Sequence, residues 1–219
     1  KINIAPKFRL IIMTMLLVVL ISFGDIQIDR TGLKFLDNLM QIDIFSFIFI
    51  CLCFLFIING SNLIDGFNGL LGIHSLIIFV TLTIVNLMNE NNDISFILLC
   101  ISLLILVFIK FNFPKAQIFL GDSGAYLIGA LIAISVIQTS SLNTSISPFF
   151  FCILVFYLFF EVFFSFFRKI LIARQNPLLP DNKHLHMLLY KLLFKKYRKN
   201  LKSNYMVSAY VNLIYFLLL

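Results

Sequence analysis

Long apolar runs broken by short polar clusters set the pattern of this chain. The runs fall at about 10–23, 44–58, 70–87, 94–109 and 123–137, then in a Phe-rich stretch ending before Arg168, and finally from about Tyr205. Apolar runs approaching about 18 residues are the signature of helices that cross a bilayer. The pattern therefore predicts an all-α fold, a polytopic transmembrane helix bundle with about seven spans. Residues 1–219 read as a single integral membrane domain, with a basic loop over 168–202 before the last span. The first run is short for a full crossing, and it carries no small-residue cleavage site of the kind that ends a signal peptide.

Composition agrees with the pattern. Charged residues make up only 12% of the chain, and the aromatics are 27 Phe and 7 Tyr with no Trp. A water-soluble domain of this size needs a more polar shell. The net charge of +7 suggests a nucleic-acid partner until the charges are located. The Lys and Arg residues, except Arg30 and Lys34, lie between spans near the N-terminus, at 110–115 and over 168–202. Even numbers of spans separate these segments, so all three fall on one side, and the positive-inside rule makes that side cytoplasmic. No nucleic-acid partner is expected. Cys51, Cys53, Cys100 and Cys152 all lie within apolar runs and read as small apolar groups.

This alternation brings three polar clusters to one membrane face. The first is Asn59-Gly60-Ser61-Asn62-Leu63-Ile64-Asp65-Gly66-Phe67-Asn68-Gly69-Leu70. Asn59, Asn62, Asp65 and Asn68 recur every third residue, which on a helix end makes a slowly drifting polar stripe. Three amides and an acid suit a nucleobase, a sugar or a hydrated Mg²⁺; a turn solvated by lipid headgroups is the plainer alternative. The second cluster, Phe119-Leu120-Gly121-Asp122-Ser123-Gly124, sets one carboxylate between two glycines and a hydroxyl. Such an acid can hold Mg²⁺ while backbone N–H groups face phosphate oxygens. Its plainer reading is a tight turn with Asp122 as helix N-cap and Ser123 in the first turn. The third is Pro180-Asp181-Asn182-Lys183-His184-Leu185-His186. Two residues apart, the histidines diverge by about 200° on a helix but point the same way in an extended loop, which the prolines favour. His74, alone in the third run, reads as a packed helix residue.

Taken together, Asn59-x-x-Asn62-x-x-Asp65-Gly66-x-Asn68-Gly69-Leu70, Phe119-Leu120-Gly121-Asp122-Ser123-Gly124 and Pro180-Asp181-x-x-His184-x-His186 resemble the polyprenyl-phosphate N-acetylhexosamine-1-phosphate transferases. These membrane enzymes initiate lipid-linked O-antigen, teichoic acid and peptidoglycan intermediates. The resemblance implies transfer of a sugar 1-phosphate from a UDP-sugar to undecaprenyl phosphate, a polyprenyl phosphate lipid, with release of UMP. It implies Mg²⁺, or Mn²⁺, as cofactor and a bacterial inner (cytoplasmic) membrane location with the site loops cytoplasmic. Asp65, Asp122, His184 and His186 would be catalytic, with Asp122 the metal ligand. Asn59, Asn62, Asn68, Asp181, Lys183 and Arg174 would bind substrate, and Arg168 would help with phosphate charge.

The chain departs from the family pattern in three ways. Asn68 stands where the family usually has Asp, and Met187 where it often has His. The family's adjacent aspartate pair, which precedes a stretch like Ile4-Ala5-Pro6-Lys7-Phe8-Arg9, is absent from the sequence. The expectation is that the chain starts just after that pair and is incomplete as an enzyme on its own. Two rival readings remain. One is a transporter or channel, for which Glu161, the only acid deep in a span, would mark the pathway. The other is an inactive fragment of the transferase family.

Overall fold

The computed structural model describes residues 6–24, 26–172, 174 and 183–219. Every regular element among them is helical: α1 (Pro6–Phe23), α2 (Lys34–Met40), α3 (Asp43–Ile64), α4 (Leu70–Met88), α5 (Asn92–Asn112), α6 (Gly121–Leu142), α7 (Pro148–Phe167), α8 (Leu185–Tyr197) and α9 (Asn200–Leu218). A π-helical turn, Arg168–Ile172, extends α7.

Among the described residues, five helices are long and apolar enough to cross a membrane: α3, α4, α5, α6, and α7 with its π-turn. The expected count of about seven is not confirmed. The apolar part of α1 is only Phe8–Phe23, and α9 opens on Asn200, Lys202, Ser203 and Asn204. The stretch expected as a basic loop over 168–202 holds the π-turn and the whole of α8, and α9 begins before residue 205.

Helix α3 is the central post, with α6 and α7 packed along it; α4 packs on α5, α6 and α9, and α8 on α9. Phe54, Phe79, Leu82, Ile132, Leu154 and Leu158 fill the interior. The outward faces are apolar as well. Phe96, Leu103, Leu104 and Val107 on α5, and Phe156 and Phe163 on α7, are exposed. A helix that is apolar all round suits a lipid surround rather than water.

Two glycines allow the close packing on α3. A Cβ at Gly60 would lie 2.5 Å from the Leu158 carbonyl oxygen on α7, and one at Gly129 would lie 2.7 Å from Ile58 Cα on α3. Small residues let membrane helices approach backbone to backbone where no hydrophobic drive separates helix from lipid. These contacts fix where α6 begins and α7 ends relative to the C-terminal end of α3, and the candidate site is built there. The cysteines are free: Cys51 is buried, Cys53 half-buried, and Cys100 and Cys152 are exposed.

Candidate active site

The last two turns of α3 run through Asn59, Gly60, Ser61 and Asn62 and end with Asp65 as C-cap. The expected span end near residue 58 therefore lies too early. Helix α6 starts at Gly121, which takes φ +64°, a left-handed conformation that glycine adopts without strain. Asp122 follows in the first turn, where the helix dipole favours a negative charge. The plainer reading of Asp122 as N-cap is corrected: Leu120 holds that position, and no side chain caps the helix.

The two helix ends meet. Asn62 Nδ2 donates to Asp122 Oδ1 at 3.4 Å, and the Arg9 guanidinium of α1 forms an ion pair with Asp122 Oδ2. Asp65 stands close enough to feel this carboxylate. Burial first, then the charge of Asp122, push the Asp65 carboxyl up to about 6.

The expected polar stripe splits because the helix stops at Ile64. Asn59 Nδ2 is committed to the Leu55 carbonyl of its own helix at 2.7 Å. Asn68 ties the loop down: its N–H donates to Asn204 Oδ1 and its Nδ2 to the Pro114 carbonyl, each at 2.9 Å. Asn112, which the sequence reading passed over, accepts from Gly69 N–H at 2.6 Å and donates to the Ile118 carbonyl at 2.7 Å. Gly69 has φ +77°, and a Cβ there would strike Phe113 at 2.6 Å. Of the four stripe residues, Asn62 and Asp65 lie toward Asp122, and Asn68 serves as a tie.

The histidines form a second group beside the first. His184 is the N-cap of α8 and His186 lies in its first turn, so the expected extended loop is corrected to a helix start. Only His184 keeps an extended backbone, with ψ 152°. Their rings are parallel, centroids 5.4 Å apart, and both are buried. Between them sits Glu161 of α7, itself 1% exposed. Its Oε2 is 2.9 Å from His184 Nδ1 and its Oε1 is 3.2 Å from His186 Nδ1. Leu185 N–H also donates to Oε1, at 3.1 Å. Phe67, from the first cluster, sets its ring edge-on to His186 at 5.5 Å, which joins the two groups. His186 Nε2 is buried with no hydrogen-bond partner.

Of the remaining predicted residues, Lys183 is exposed just ahead of His184, and Arg174 is exposed with φ 48°. Asp181 lies outside the described residues. His74 is buried as expected for a packed residue: its Nδ1 is 3.3 Å from Asn212 Oδ1, and its ring lies 4.1 Å from Tyr215. An apolar cavity of about 380 Å³, walled by Phe49, Phe56, Ile137, Phe149 and Phe159, lies toward the other end of these helices and offers no comparable chemistry.

Residues 1–140 match the family model described as Glycosyl transferase family 4. The chain belongs to glycosyl transferase family 4.

Three curated relatives of this family 4 chain carry more detailed names. An undecaprenyl-phosphate alpha-N-acetylglucosaminyl 1-phosphate transferase of Thermotoga maritima is 30% identical over 64% of this chain and 41% of its own length. A probable undecaprenyl-phosphate N-acetylglucosaminyl 1-phosphate transferase of Bacillus subtilis is 28% identical over 85% of this chain and 52% of its own. A phospho-N-acetylmuramoyl-pentapeptide-transferase of Dictyoglomus turgidum is 32% identical over 74% and 52%. The chain thus spans about half the length of the curated relatives it matches. The matched region holds the first two polar clusters but not the histidine pair.

The donor set fits a hard divalent cation. Asp65 and Asp122 are oxygen donors whose negative charges disfavour one another, and such a pair is relieved by a cation bound through carboxylates. Among the described residues no three His, Cys, Asp or Glu side chains gather into a closed metal cage. Mg²⁺ is commonly held by one or two carboxylates, with water and substrate phosphate completing its shell.

Proposed function

We propose that this chain forms much of the centre that transfers an N-acetylhexosamine 1-phosphate from a UDP-sugar to a polyprenyl phosphate, releasing UMP. The observation that carries this reading is that, in a membrane bundle of this family, the group of Asn62, Asp65, Asp122 and Arg9 is joined through Phe67 to the Glu161–His184–His186 group. The Lys/Arg asymmetry of the sequence supports a cytoplasmic placement for that end, in a bacterial inner membrane.

In this reading an oxygen of the lipid phosphate attacks the phosphorus that bears the sugar. A new P–O bond forms, the pyrophosphate P–O bond breaks, and UMP leaves with the electron pair. Both reactants are anionic, so the site's task is to gather and neutralise charge rather than to remove a proton. Asp122, with Asp65 beside it, would hold Mg²⁺, which when bound supplies positive charge to the pyrophosphate and leaving UMP. Arg9 adds a guanidinium at the same spot, suited to phosphate oxygens. Asn62 orients Asp122. His184 and His186 face the substrate, and Lys183 and Arg174 lend positive charge nearby.

Glu161 supported a transporter reading while it stood as a lone acid in a span. In the structure both of its oxygens are taken up at the helix end by the histidines and α8, which favours interfacial chemistry. The test is UMP release by the purified protein, supplied with the family's aspartate-pair segment, from a panel of UDP-sugars and polyprenyl phosphate, with and without Mg²⁺. Cation-dependent UMP release with one N-acetylhexosamine donor is the expected result. No release from any donor, in protein shown to be folded, would overturn the reading.

A further inference from the structure

Glu161 is a buried carboxylate, deep in an apolar run, for which no motif asks. It reaches across from α7 to α8 and meets three donors there. Oε1 faces Leu185 N–H and His186 Nδ1, and Oε2 faces His184 Nδ1. The Tyr157 hydroxyl stands 3.2 Å from His186 Nδ1, where its oxygen can share that N–H with the carboxylate. An ionised carboxylate only accepts hydrogen bonds, so each ring nitrogen that faces it must carry its proton. The partner of one imidazole nitrogen sets the tautomer of the whole ring. We infer that Glu161 is a positioning residue that fixes both imidazoles with Nδ1–H turned to its carboxylate and both Nε2 atoms presented to substrate.

Two further features support the assignment. The rings are coplanar in orientation, with an interplanar angle of 0°, as expected when two N–H groups are drawn to one planar carboxylate. In addition, His186 Nε2 is buried and has no protein partner. Buried polar atoms are normally hydrogen-bonded; His74 Nε2 is orphaned in the same way inside the bundle, and what sets His186 apart is that it lies beside the first polar cluster, against Phe67. Glu161 also satisfies a free N–H at the start of α8, so the same carboxylate seats the helix and sets its histidines. The inference rests on the reading of His184 and His186 as substrate-facing groups.

A conservative substitution separates tautomer control from simple packing. In Glu161→Gln the side chain keeps its shape but has one accepting oxygen and one donating NH₂. Leu185 N–H cannot give up its acceptor, so the Gln oxygen takes the Oε1 position and leaves NH₂ facing His184 Nδ1. That nitrogen must then lose its proton. The prediction is a change at one histidine: His184 moves to the Nε2–H tautomer while His186 keeps Nδ1–H.

The experiment is ¹⁵N NMR of histidine-labelled protein in lipid, read beside UMP release. The chain has three histidines, so single substitutions assign the signals. The wild type should show Nδ1 protonated on both His184 and His186. A bare Nδ1 on either overturns the inference without any variant having to fold. In Glu161→Gln the His184 signal should switch and kcat should fall about 10–100-fold, the usual cost of losing an orienting partner. Glu161→Asp, which keeps two accepting oxygens, should retain both Nδ1–H signals and recover part of kcat. Unchanged tautomers in Glu161→Gln, or a switch with unchanged kcat, overturn the positioning role. If the wild type releases no UMP, the proposed function fails, while the tautomer pattern still decides whether Glu161 sets the two rings.

Discussion

The bundle has two polar ends, and the same side-chain types do opposite things in them. At the end away from the candidate site, Asn86 donates to Thr139 Oγ1 and to the Leu82 carbonyl, each at 2.9 Å. Asn143 donates to Asn86 Oδ1 at 3.1 Å and to the Thr139 carbonyl at 2.8 Å, and it accepts from Asn91 at 3.2 Å. Arg30 closes the knot on the Ile146 and Asn143 carbonyls. The amide groups of Asn86 and Asn143 spend themselves on one another and on backbone. At the site end, Asn62 instead faces a carboxylate, Asp65 is held above its ordinary range, and His186 Nε2 has no partner. A closed polar network rigidifies a bundle; one left partly open is poised for a ligand. Polarity alone does not mark a site, and neither does one orphaned atom, since Arg30 Nε in the other end is also buried without a partner; carboxylates and imidazoles gathered together with unmet groups do.

The most severe way to test that difference is Asp122→Asn. The substitution keeps size and one accepting oxygen, so the fold should stand. It removes the charge that pairs with Arg9 and raises the pKa of Asp65. Loss of one preorganised electrostatic group costs on the order of 10²–10³ in kcat. Raised Mg²⁺ should recover part of that loss, because a weaker ligand set is refilled by mass action, whereas His186→Ala should not respond to the ion. A Mg²⁺ titration of UMP release reads both. Near-normal release by Asp122→Asn at ordinary Mg²⁺ would remove the metal assignment and leave this end as structural as the other.

Next in size is a change that strikes both ends through their shared post. Gly60→Ala places a Cβ against the Leu158 carbonyl. Backbone cannot step aside as a side chain can, so the cost should reach the upper range for overpacking, about 3 kcal/mol. Helix α7 carries Glu161 and continues from the α6–α7 connection on which Arg30 closes. Thermal unfolding in detergent should therefore show the loss, with UMP release falling in parallel. Unchanged stability would mean that α7 does not rest on α3 at this contact.

How much of this was legible beforehand follows from range. Helices α3 to α7 were read from runs of apolar residues, a property of neighbours in sequence. The clusters around Asp65, Asp122 and His184 were read from local spacing. The stripe from Asn59 to Asn68 was misread because periodicity was extended past Ile64, where the helix ends and Asn68 turns to Asn204. The role of Glu161 was out of reach because nothing in the spacing of α7 records that a helix beginning 24 residues later lands on it. The Arg9–Asp122 pair spans 113 positions and escaped for the same reason. Asn112, just past an apolar run, carried no sequence signal, although it holds two loops together.

The closed end should respond in stability and not in chemistry. Asn143→Leu removes the acceptor of Asn91 and the donor to Asn86, leaving buried amide groups unmatched. Unsatisfied buried polar groups cost about 1–3 kcal/mol. Thermal unfolding should report a loss in that range, while kcat of the surviving folded protein stays near wild type. A kcat that falls with stability intact would place this end in the reaction and dissolve the contrast between the two ends.

The smallest effect is one of sign. Asp65, at the site end, is raised from its ordinary 3.8 to about 6 by burial and then by the charge of Asp122. Between those pH values the folded protein binds more proton than the unfolded chain, so stability must fall as pH rises through that window. Asp37, at the other end, is lowered from 3.8, first by the Thr31 hydroxyl and then by the Thr31 N–H, both donating at 2.6 Å. Its contribution is therefore present above 3.8 and is lost as pH falls through its lower folded value. Asp37 is half-buried at the surface, so solvent screens much of its effect and the slope it adds should be the weaker. The measurement is unfolding temperature against pH from about 3 to 7, with chelator present so that no divalent cation masks Asp65. Asp65→Asn should flatten the decline above pH 4 and leave the acid limb alone. Asp37→Asn should soften the acid limb and leave the decline. If both variants change the same limb, the two carboxylates share one environment type, and the difference between a satisfied end and an unsatisfied one does not extend to their acids.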